Sequence, residues 1–188
     1  MKNFIPSEFV ILIVDDHPEN LKLLATMLVE VGYKLNFAKN GKEARQRISQ
    51  LKPDLILLDL RMPEEDGFQV CHQIKHDLKY QDVPIIFITV SKDPEDLKVA
   101  FDLGAVDYVN KPFQHEEVLA RVKTHLTIKK QAEELKQSEA KLNTIVTHLY
   151  DGILIVDKNG VVKFANPAAA RMFNQPLEAI LNLSLIHI

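Results

Sequence analysis

Short runs of apolar residues recur along the first two thirds of the chain, and longer amphipathic stretches separate them. The runs occupy residues 9–14, 34–38, 55–58, 85–88 and 105–109. The first, third and fourth runs are continuously apolar, which favours strands buried on both faces of a parallel sheet. The second alternates apolar and polar positions and therefore predicts an edge strand.

Amphipathic helices are predicted between these runs, because apolar residues recur there at intervals of three and four. The first helix ends at Gly32, the second follows a turn or cap at Asn40-Gly41, and two more begin at Asp66-Gly67 and Asp93-Pro94. The apolar stripes comprise Leu21, Leu24, Ala25, Leu28 and Val31; Ala44, Ile48 and Leu51; Phe68, Val70, Cys71, Ile74 and Leu78; and Leu97, Ala100, Phe101 and Leu103. Five strands alternating with five helices predict an α/β sheet covered on both faces.

Polar residues follow four of the strands at the point where each strand ends. Asp15 and Asp16 follow the first, Asp59 the third, Thr89 the fourth and Lys111 the fifth. The carboxyl ends of parallel strands meet at one edge, so these side chains are expected to converge. Clustered carboxylates favour a divalent cation, and oxygen ligands suit Mg²⁺. A carboxylate there, facing a lysine and a threonine, is equipped to attack a phosphoryl group.

This series of motifs resembles the receiver domain of two-component response regulators over residues 9–125. The resemblance rests on the acidic pair, the lone Asp59, Thr89 and Lys111-Pro112, in order and at strand ends. It implies a flavodoxin-like, doubly wound five-stranded parallel sheet with the order 2-1-3-4-5. It also implies a cis peptide bond before Pro112.

The resemblance further implies a role for each residue at the predicted site. Asp59 would accept a phosphoryl group from a histidine kinase or phosphotransfer protein. The remaining assignments are Mg²⁺ ligation by Asp15, Asp16, Asp59 and the backbone carbonyl of Arg61, phosphoryl contacts from Thr89 and Lys111, and a switch formed by Thr89 and Tyr108. Asp16 is also placed to cap the first helix. The switch would reshape the surface of the fourth and fifth helices.

Val90 departs from the receiver pattern, in which a small residue, often alanine, follows the threonine. The extra methyl groups would lie at the mouth of the site. We expect them to slow attack by water or by a phosphodonor, without changing the assignment of the site.

The fifth helix is predicted to continue well beyond the receiver-like segment. No glycine or proline occurs between residues 116 and 149, and Ile128, Leu135, Leu142 and Leu149 recur every seven residues. Residues 126–149 therefore predict a parallel two-stranded coiled coil and a homodimer, although Glu139 interrupts the alternate core positions. A single solvated helix is the alternative.

Residues 150–188 resemble the beginning of a PAS sensor domain, a partial α+β fragment. Asn159-Gly160 lies between two apolar runs and predicts a hairpin, and Asn166-Pro167 predicts the start of a short helix. The final six residues do not resemble the PAS continuation. We therefore expect a truncated chain with a small core in this part.

Composition excludes several other classes of protein. The 188 residues are 46% apolar and 26% charged, with a net charge of −3, so nothing indicates binding to nucleic acid or to a membrane. Cys71 is the single cysteine, which excludes an internal disulfide and a cysteine-rich metal site. No apolar run reaches the ~20 residues of a membrane span, and no signal peptide is evident, so a cytoplasmic location is expected. The seven histidines are scattered and none is assigned to the site.

The resemblance predicts a signalling domain whose only catalysis is its own phosphorylation and dephosphorylation, and not an enzyme. A phosphorylation-independent dimerisation scaffold with the same fold is the alternative. A haloacid dehalogenase-like hydrolase is disfavoured, because the position that must hold its second acid is Arg61.

Overall fold

The computed structural model describes residues 4–63, 65–91, 93–181 and 183. The chain divides into two compact units, Met1–Gln131 and Ala132–Ile188. The strands are β1 (Val10–Val14), β2 (Lys34–Ala38), β3 (Leu55–Asp59), β4 (Ile85–Thr89), β5 (Asp107–Asn110), β6 (Leu154–Val156) and β7 (Val162–Ala165). The helices are α1 (Pro18–Val31), α2 (Gly41–Leu51), α3 (Gly67–His76), α4 (Pro94–Asp102), α5 (His115–His148), α6 (Pro167–Phe173) and α7 (Leu177–Ile180). Within the described ranges, no helix combines the length and apolar character needed to cross a bilayer.

The first unit contains a five-stranded, wholly parallel sheet in the order β2-β1-β3-β4-β5. The predicted fold class and strand order are confirmed. The buried strands have apolar side chains on both faces, and each face packs against helices. The carboxyl ends of β1, β3, β4 and β5 consequently meet at one edge.

Each face of the sheet has its own apolar core. One joins Leu12, Val14, Ile56, Leu58, Ile85 and Phe87 to buried residues of α2, α3 and α4. The other joins Ile11, Ile13, Leu55, Leu57, Ile86, Ile88 and Val109 to buried residues of α1 and α5. Successive side chains of a strand point to opposite faces, so every buried strand contributes to both cores.

Three helices of this unit begin with a side-chain cap, as their sequences predict. The oxygens of Asn40, Asp66 and Asp93 accept hydrogen bonds from backbone N–H groups in the first turns of α2, α3 and α4. Helix α1 ends at Gly32, which has a φ of 99°. These caps set where each helix starts or stops and hence the lengths of the loops around the site.

Three predicted apolar stripes, those of α1, α3 and α4, were wrong in part. Leu78 was assigned to α3, but the helix ends at His76 and the Leu78 side chain is 83% exposed. The chain turns there because the Asp77 carboxylate accepts a hydrogen bond from the Lys79 amide. In α1, Met27 is buried instead of Val31, and in α4 only Ala100 is fully buried.

The second unit has a hairpin, as predicted. Strands β6 and β7 are antiparallel, and the turn between them is held by the Asp157 carboxylate, which accepts from the amides of Asn159 and Val161. The buried apolar core is small and comprises Val162, Ala165, Ala169 and Ile180. Apart from Leu183, the predicted unusual ending at 183–188 lies outside the described residues.

Asn166 holds this second unit together. Its side chain is fully buried, and its Oδ1 accepts from the amides of Ile153 and Ala169. Its Nδ2 donates to the carbonyls of Val146 and Asp151. One amide side chain thereby joins the end of α5, the chain entering β6 and the N-terminus of α6, so the predicted start of α6 is confirmed.

Candidate functional site

Two buried carboxylates and one ammonium meet where β1, β3 and β5 end. The Nζ of Lys111 lies 3.0 Å from Asp15 Oδ2 and 3.0 Å from Asp59 Oδ2. The side chains of Asp15 and Asp59 are almost completely buried. The peptide bond between Lys111 and Pro112 is cis, as the resemblance implies.

The loop after β1 fixes Asp15 from several directions. Asn20, in the first turn of α1, donates to both carboxylate oxygens at 3.0 and 2.9 Å. The His17 amide donates to Asp15 Oδ1 at 2.8 Å. The prediction that Asp16 caps α1 was wrong, because the N-cap residue is His17 and the Asp16 carboxylate instead contacts the His17 ring.

The surroundings of Asp59 stabilise its charged form poorly. Burial raises the pKa of its carboxyl group, and the nearby charge of Asp15 raises it further, while the Lys111 hydrogen bond opposes both. The net pKa lies above its usual value. Among the described residues, Oδ1 has only a long contact with the Arg61 amide, at 3.5 Å. Asp59 is therefore a carboxylate with unsatisfied charge at the edge of the sheet.

The donor atoms at this edge fit a divalent cation. One ligand atom from each of Asp15, Asp16, His17 and Asp59 lies within 4.8 Å of the others. Three carboxylates share this edge with one ammonium, which contacts Asp15 and Asp59, so the cluster has an excess negative charge that a divalent cation would balance. Carboxylate oxygens are the ligands that Mg²⁺ prefers.

Gly67 allows the loop after β3 to pack tightly beneath the site. A Cβ on this residue would lie 2.3 Å from the carbonyl oxygen of Asp59 and 2.9 Å from Cα of Leu60. The Gly67 amide donates to the Leu60 carbonyl at 2.9 Å. Any larger residue would push the start of α3 away from Asp59.

Thr89 is buried at the end of β4, and its hydroxyl oxygen accepts a hydrogen bond from the Ser91 amide at 2.9 Å. The next side chain, Val90, is 66% exposed. Its methyl groups are thus in solvent beside the buried hydroxyl.

Tyr108 on β5 is half-buried next to α4 and α5. Its ring packs edge-on against Phe101, with centroids 6.2 Å apart, and the Arg121 guanidinium lies 5.5 Å from the ring centre. Arg121 also pairs with Asp107 and Glu117. The predicted switch residue therefore contacts both helices of the predicted output surface.

The side chain of Arg61 points away from the buried cluster. It is exposed and approaches Asp96, in the first turn of α4, at 3.3 Å. The structure thus brings together Asp15, Asp16, Asp59 and Lys111, with Thr89 at the end of the neighbouring strand. His17, Asn20 and Gly67 were not identified from the sequence as parts of the site.

The chain belongs to the response regulator receiver domain family, whose model matches residues 11–123. A PAS domain model matches residues 140–187. Both agree with the resemblances stated from the sequence.

Several known proteins are similar to a large part of the chain. A Vibrio cholerae serotype O1 protein named "Probable cyclic di-GMP phosphodiesterase" is 41% identical over 140 residues, covering 74% of this chain and 32% of that protein. The "DNA-binding dual master transcriptional regulator RpaA" of Synechocystis is 41% identical over 116 residues, which cover 62% of this chain and 48% of that protein. Among solved structures, the receiver domain of a signal transduction histidine kinase from Syntrophus aciditrophicus is 35% identical with a TM-score of 0.59. The match covers 63% of this chain and 90% of that one.

The chain spans about a third to a half of the length of these two curated relatives. The names of the relatives differ although the matched segment is similar. These names describe whole proteins, which this chain matches only in part.

Proposed function

We propose that residues 9–125 form a phosphorylation-dependent receiver in which Asp59 accepts the phosphoryl group. The observation that carries this proposal is the buried contact of Lys111 with both Asp15 and Asp59. An ammonium between two carboxylates at a sheet edge is a ready partner for the oxygens of an incoming phosphoryl group.

The reaction needs few groups from the protein. An oxygen of Asp59 attacks the phosphorus of a phosphohistidine on a histidine kinase or phosphotransfer protein. The P–N bond breaks, and the released imidazole takes up a proton. Lys111 and the Thr89 hydroxyl bind oxygens of the transferred group, while Asn20 and the His17 amide keep Asp15 in place. Water later hydrolyses the acyl phosphate and restores the carboxylate.

Mg²⁺ is the proposed cofactor, held by Asp15, Asp16, Asp59 and the backbone carbonyl of Arg61. When bound, it would neutralise charge on the transferring phosphoryl group. The excess of carboxylates over ammonium groups at the cluster supports this proposal.

The signal is proposed to leave through Tyr108 and α5. Loss of the Thr89–Ser91 hydrogen bond would let the loop after β4 move, and Tyr108 would follow toward the vacated space. Residues 126–149 would carry the change as a parallel coiled coil to a PAS segment at 150–188. The outputs of whole proteins of this kind differ, so none is assigned to this chain.

Phosphorylation by a small donor such as acetyl phosphate tests the proposal. Intact-mass measurement should show one added phosphoryl group on the wild type in Mg²⁺, and none in excess EDTA or on Asp59→Asn. Asp93→Asn is the matched control, because it removes a nearby exposed carboxylate but keeps a residue that caps α4.

Equal labelling of the wild type and Asp59→Asn would refute the assignment of Asp59. A folded wild type that takes no label under any condition would favour the phosphorylation-independent scaffold.

A further inference from the structure

The imidazole of His17 lies among the carboxylates of the acidic cluster, and the proposed reaction uses only the backbone of this residue. Its Nδ1 is 2.9 Å from Asp16 Oδ1 and 3.6 Å from Asp15 Oδ1. Adjacent ligands of an octahedral ion with bonds of ~2.1 Å lie roughly 3 Å apart. The spacing of His17 and Asp16 therefore suits two ligands of one ion.

The backbone of His17 is fixed before any cation arrives, while its side chain is 68% exposed. The His17 amide donates to Asp15, and its carbonyl accepts from the Asn20 amide at 3.1 Å. Pro18 follows and restricts the chain. His17 occupies the N-cap position of α1, where Ser, Thr, Asp or Asn side chains usually bond to the helix, but its side chain makes no such bond. The ring faces the carboxylates instead.

We propose that His17 is a nitrogen ligand of the cation bound by Asp15, Asp16 and Asp59, and that it extends the site to later first-row divalent cations such as Ni²⁺ and Co²⁺. This inference rests on the proposed function, which supplies the cation site. Imidazole favours nickel, zinc and copper, whereas carboxylates and water suit Mg²⁺. Adding one nitrogen should thus strengthen the binding of Ni²⁺ much more than that of Mg²⁺.

Cation binding requires only a local exchange of partners. Nδ1 must present its lone pair, so the neutral ring carries its proton on Nε2. Without a cation, Nδ1–H can donate to Asp16 Oδ1. A cation bound to both atoms lies off the line that joins them, because two bonds of ~2.1 Å do not fit along a separation of 2.9 Å. The exposed His17 ring therefore turns to direct its lone pair at the cation and stays close to the carboxylate.

A second pair of histidines on α3 provides a control. His72 and His76 lie one helical turn apart, with stacked rings whose centroids are 3.9 Å apart, and both are exposed. Two histidines at this spacing can also bind a transition metal. In the described parts of the chain, however, groups of three or more metal-ligating side chains converge only at the acidic cluster.

Isothermal titration calorimetry of the full chain with Ni²⁺ alone and with Mg²⁺ alone tests the proposal. The double variant His72→Gln/His76→Gln serves as the background, so that the α3 pair does not contribute. In that background, His17→Gln should weaken Ni²⁺ binding about tenfold and Mg²⁺ binding less than about twofold. The visible absorption of bound Co²⁺ should also change, since a nitrogen ligand is lost. Asp59→Asn should weaken the binding of both Mg²⁺ and Ni²⁺.

Unchanged Ni²⁺ affinity in His17→Gln, while the wild type still binds Mg²⁺, would overturn the role of His17 and leave the proposed function intact. An equal loss for both cations would also overturn it, because the substitution would then disturb the whole cluster. A wild type that does not bind Mg²⁺, or an Asp59→Asn variant that binds it equally well, would overturn this inference and the proposed cation site together.

Discussion

At the residue scale, the two buried carboxylates of the candidate site differ in how many close hydrogen bonds they accept. Asp15 receives hydrogen bonds from Asn20, His17 and Lys111. Asp59 shares the same ammonium but has no other close donor among the described residues. The ionisation of Asp59 therefore costs the folded chain free energy.

Replacing Asp59 by Asn should stabilise the chain at pH 7 in the absence of divalent cations. The pKa of Asp59 is raised, by burial first and by Asp15 next. A carboxyl group with a raised folded-state pKa adds stability below its unfolded pKa, and this contribution is lost as the pH rises through the folded value. Once that contribution is lost, the buried carboxylate is charged and poorly satisfied, so the uncharged amide of the Asp59→Asn variant should raise the free energy of unfolding by roughly 1–2 kcal/mol. Urea denaturation of both proteins measures the difference.

Asp54→Asn is the matched control for this experiment. Asp54 precedes the same strand at its other end, accepts from the Val10 amide and pairs with Lys129. Its substitution should lower stability. Added Mg²⁺ should stabilise the wild type, and the difference in free energy of unfolding between the wild type and Asp59→Asn should become smaller. Greater stability of the wild type without cations would contradict the prediction.

Sequence alone could place Asp15, Asp59 and Lys111 together, because each follows a strand and parallel strands end at one edge. It could not place the side chain of His17. A histidine beside two aspartates can turn toward solvent, toward the helix or toward the carboxylates. The choice depends on the N-cap geometry and on Asn20, one helical turn further on.

At the element scale, the close packing of α3 beneath β3 shapes the site. Gly67 is the first residue of α3, and its Cα faces the carbonyl of Asp59. A displacement of the start of α3 would therefore also displace the backbone of Asp59. A change at this junction acts on Asp59 without touching its side chain.

Gly67→Ala should destabilise the first unit by about 2–3 kcal/mol and slow the phosphorylation of Asp59. The added methyl group would overlap the backbone of Asp59, which cannot yield as a flexible side chain would. Gly32→Ala is the control: its positive φ costs about 1 kcal/mol, but the methyl group would meet nothing within 4 Å. Urea denaturation and the rate of labelling distinguish the two variants. Similar labelling rates for Gly67→Ala and Gly32→Ala would show that the loop after β3 accommodates the added methyl group.

Helix starts could be predicted because caps are local: Asn40, Asp66 and Asp93 each act within their own turn. The contacts that each helix makes with the rest of the fold could not be predicted in this way. The exposed Leu78 continues the apolar spacing of α3, yet the turn at Asp77 ends the helix first. Likewise, no local pattern reveals that Lys129 pairs with Asp54, because their contact depends on the finished sheet.

At the scale of the whole molecule, α5 connects the two compact units. The helix runs without interruption from His115 to His148 and crosses their boundary after Gln131. Ile128, Leu135 and Leu142 are all more than half exposed in the single chain. Their seven-residue spacing supports the proposed coiled coil, since a second copy could cover them.

Replacing both Leu135 and Leu142 by Asn should convert a dimer into monomers whose Asp59 is still phosphorylated. Burying each leucine contributes ~1.5–3 kcal/mol, so losing the pair from both copies should weaken association at least ~100-fold. Sedimentation with and without beryllofluoride measures the assembly, and beryllofluoride should tighten the wild-type dimer.

Lys136→Asn with Lys141→Asn is the control, because both positions lie beside the leucines and are exposed. This variant should remain dimeric. A wild type that is monomeric in every state at high micromolar concentration would leave α5 as a solvated helix.

The contact between Lys111 and Asp59 also has a consequence for the order of events during synthesis. The two residues are 52 positions apart. A ribosome adding ~5–20 residues per second makes Lys111 roughly 3–10 s after Asp59. Throughout that interval the nascent chain has its acidic residues but not their ammonium. The proposed competence for phosphoryl transfer would therefore begin late, only when the last strand has emerged, and a shorter nascent chain would lack it.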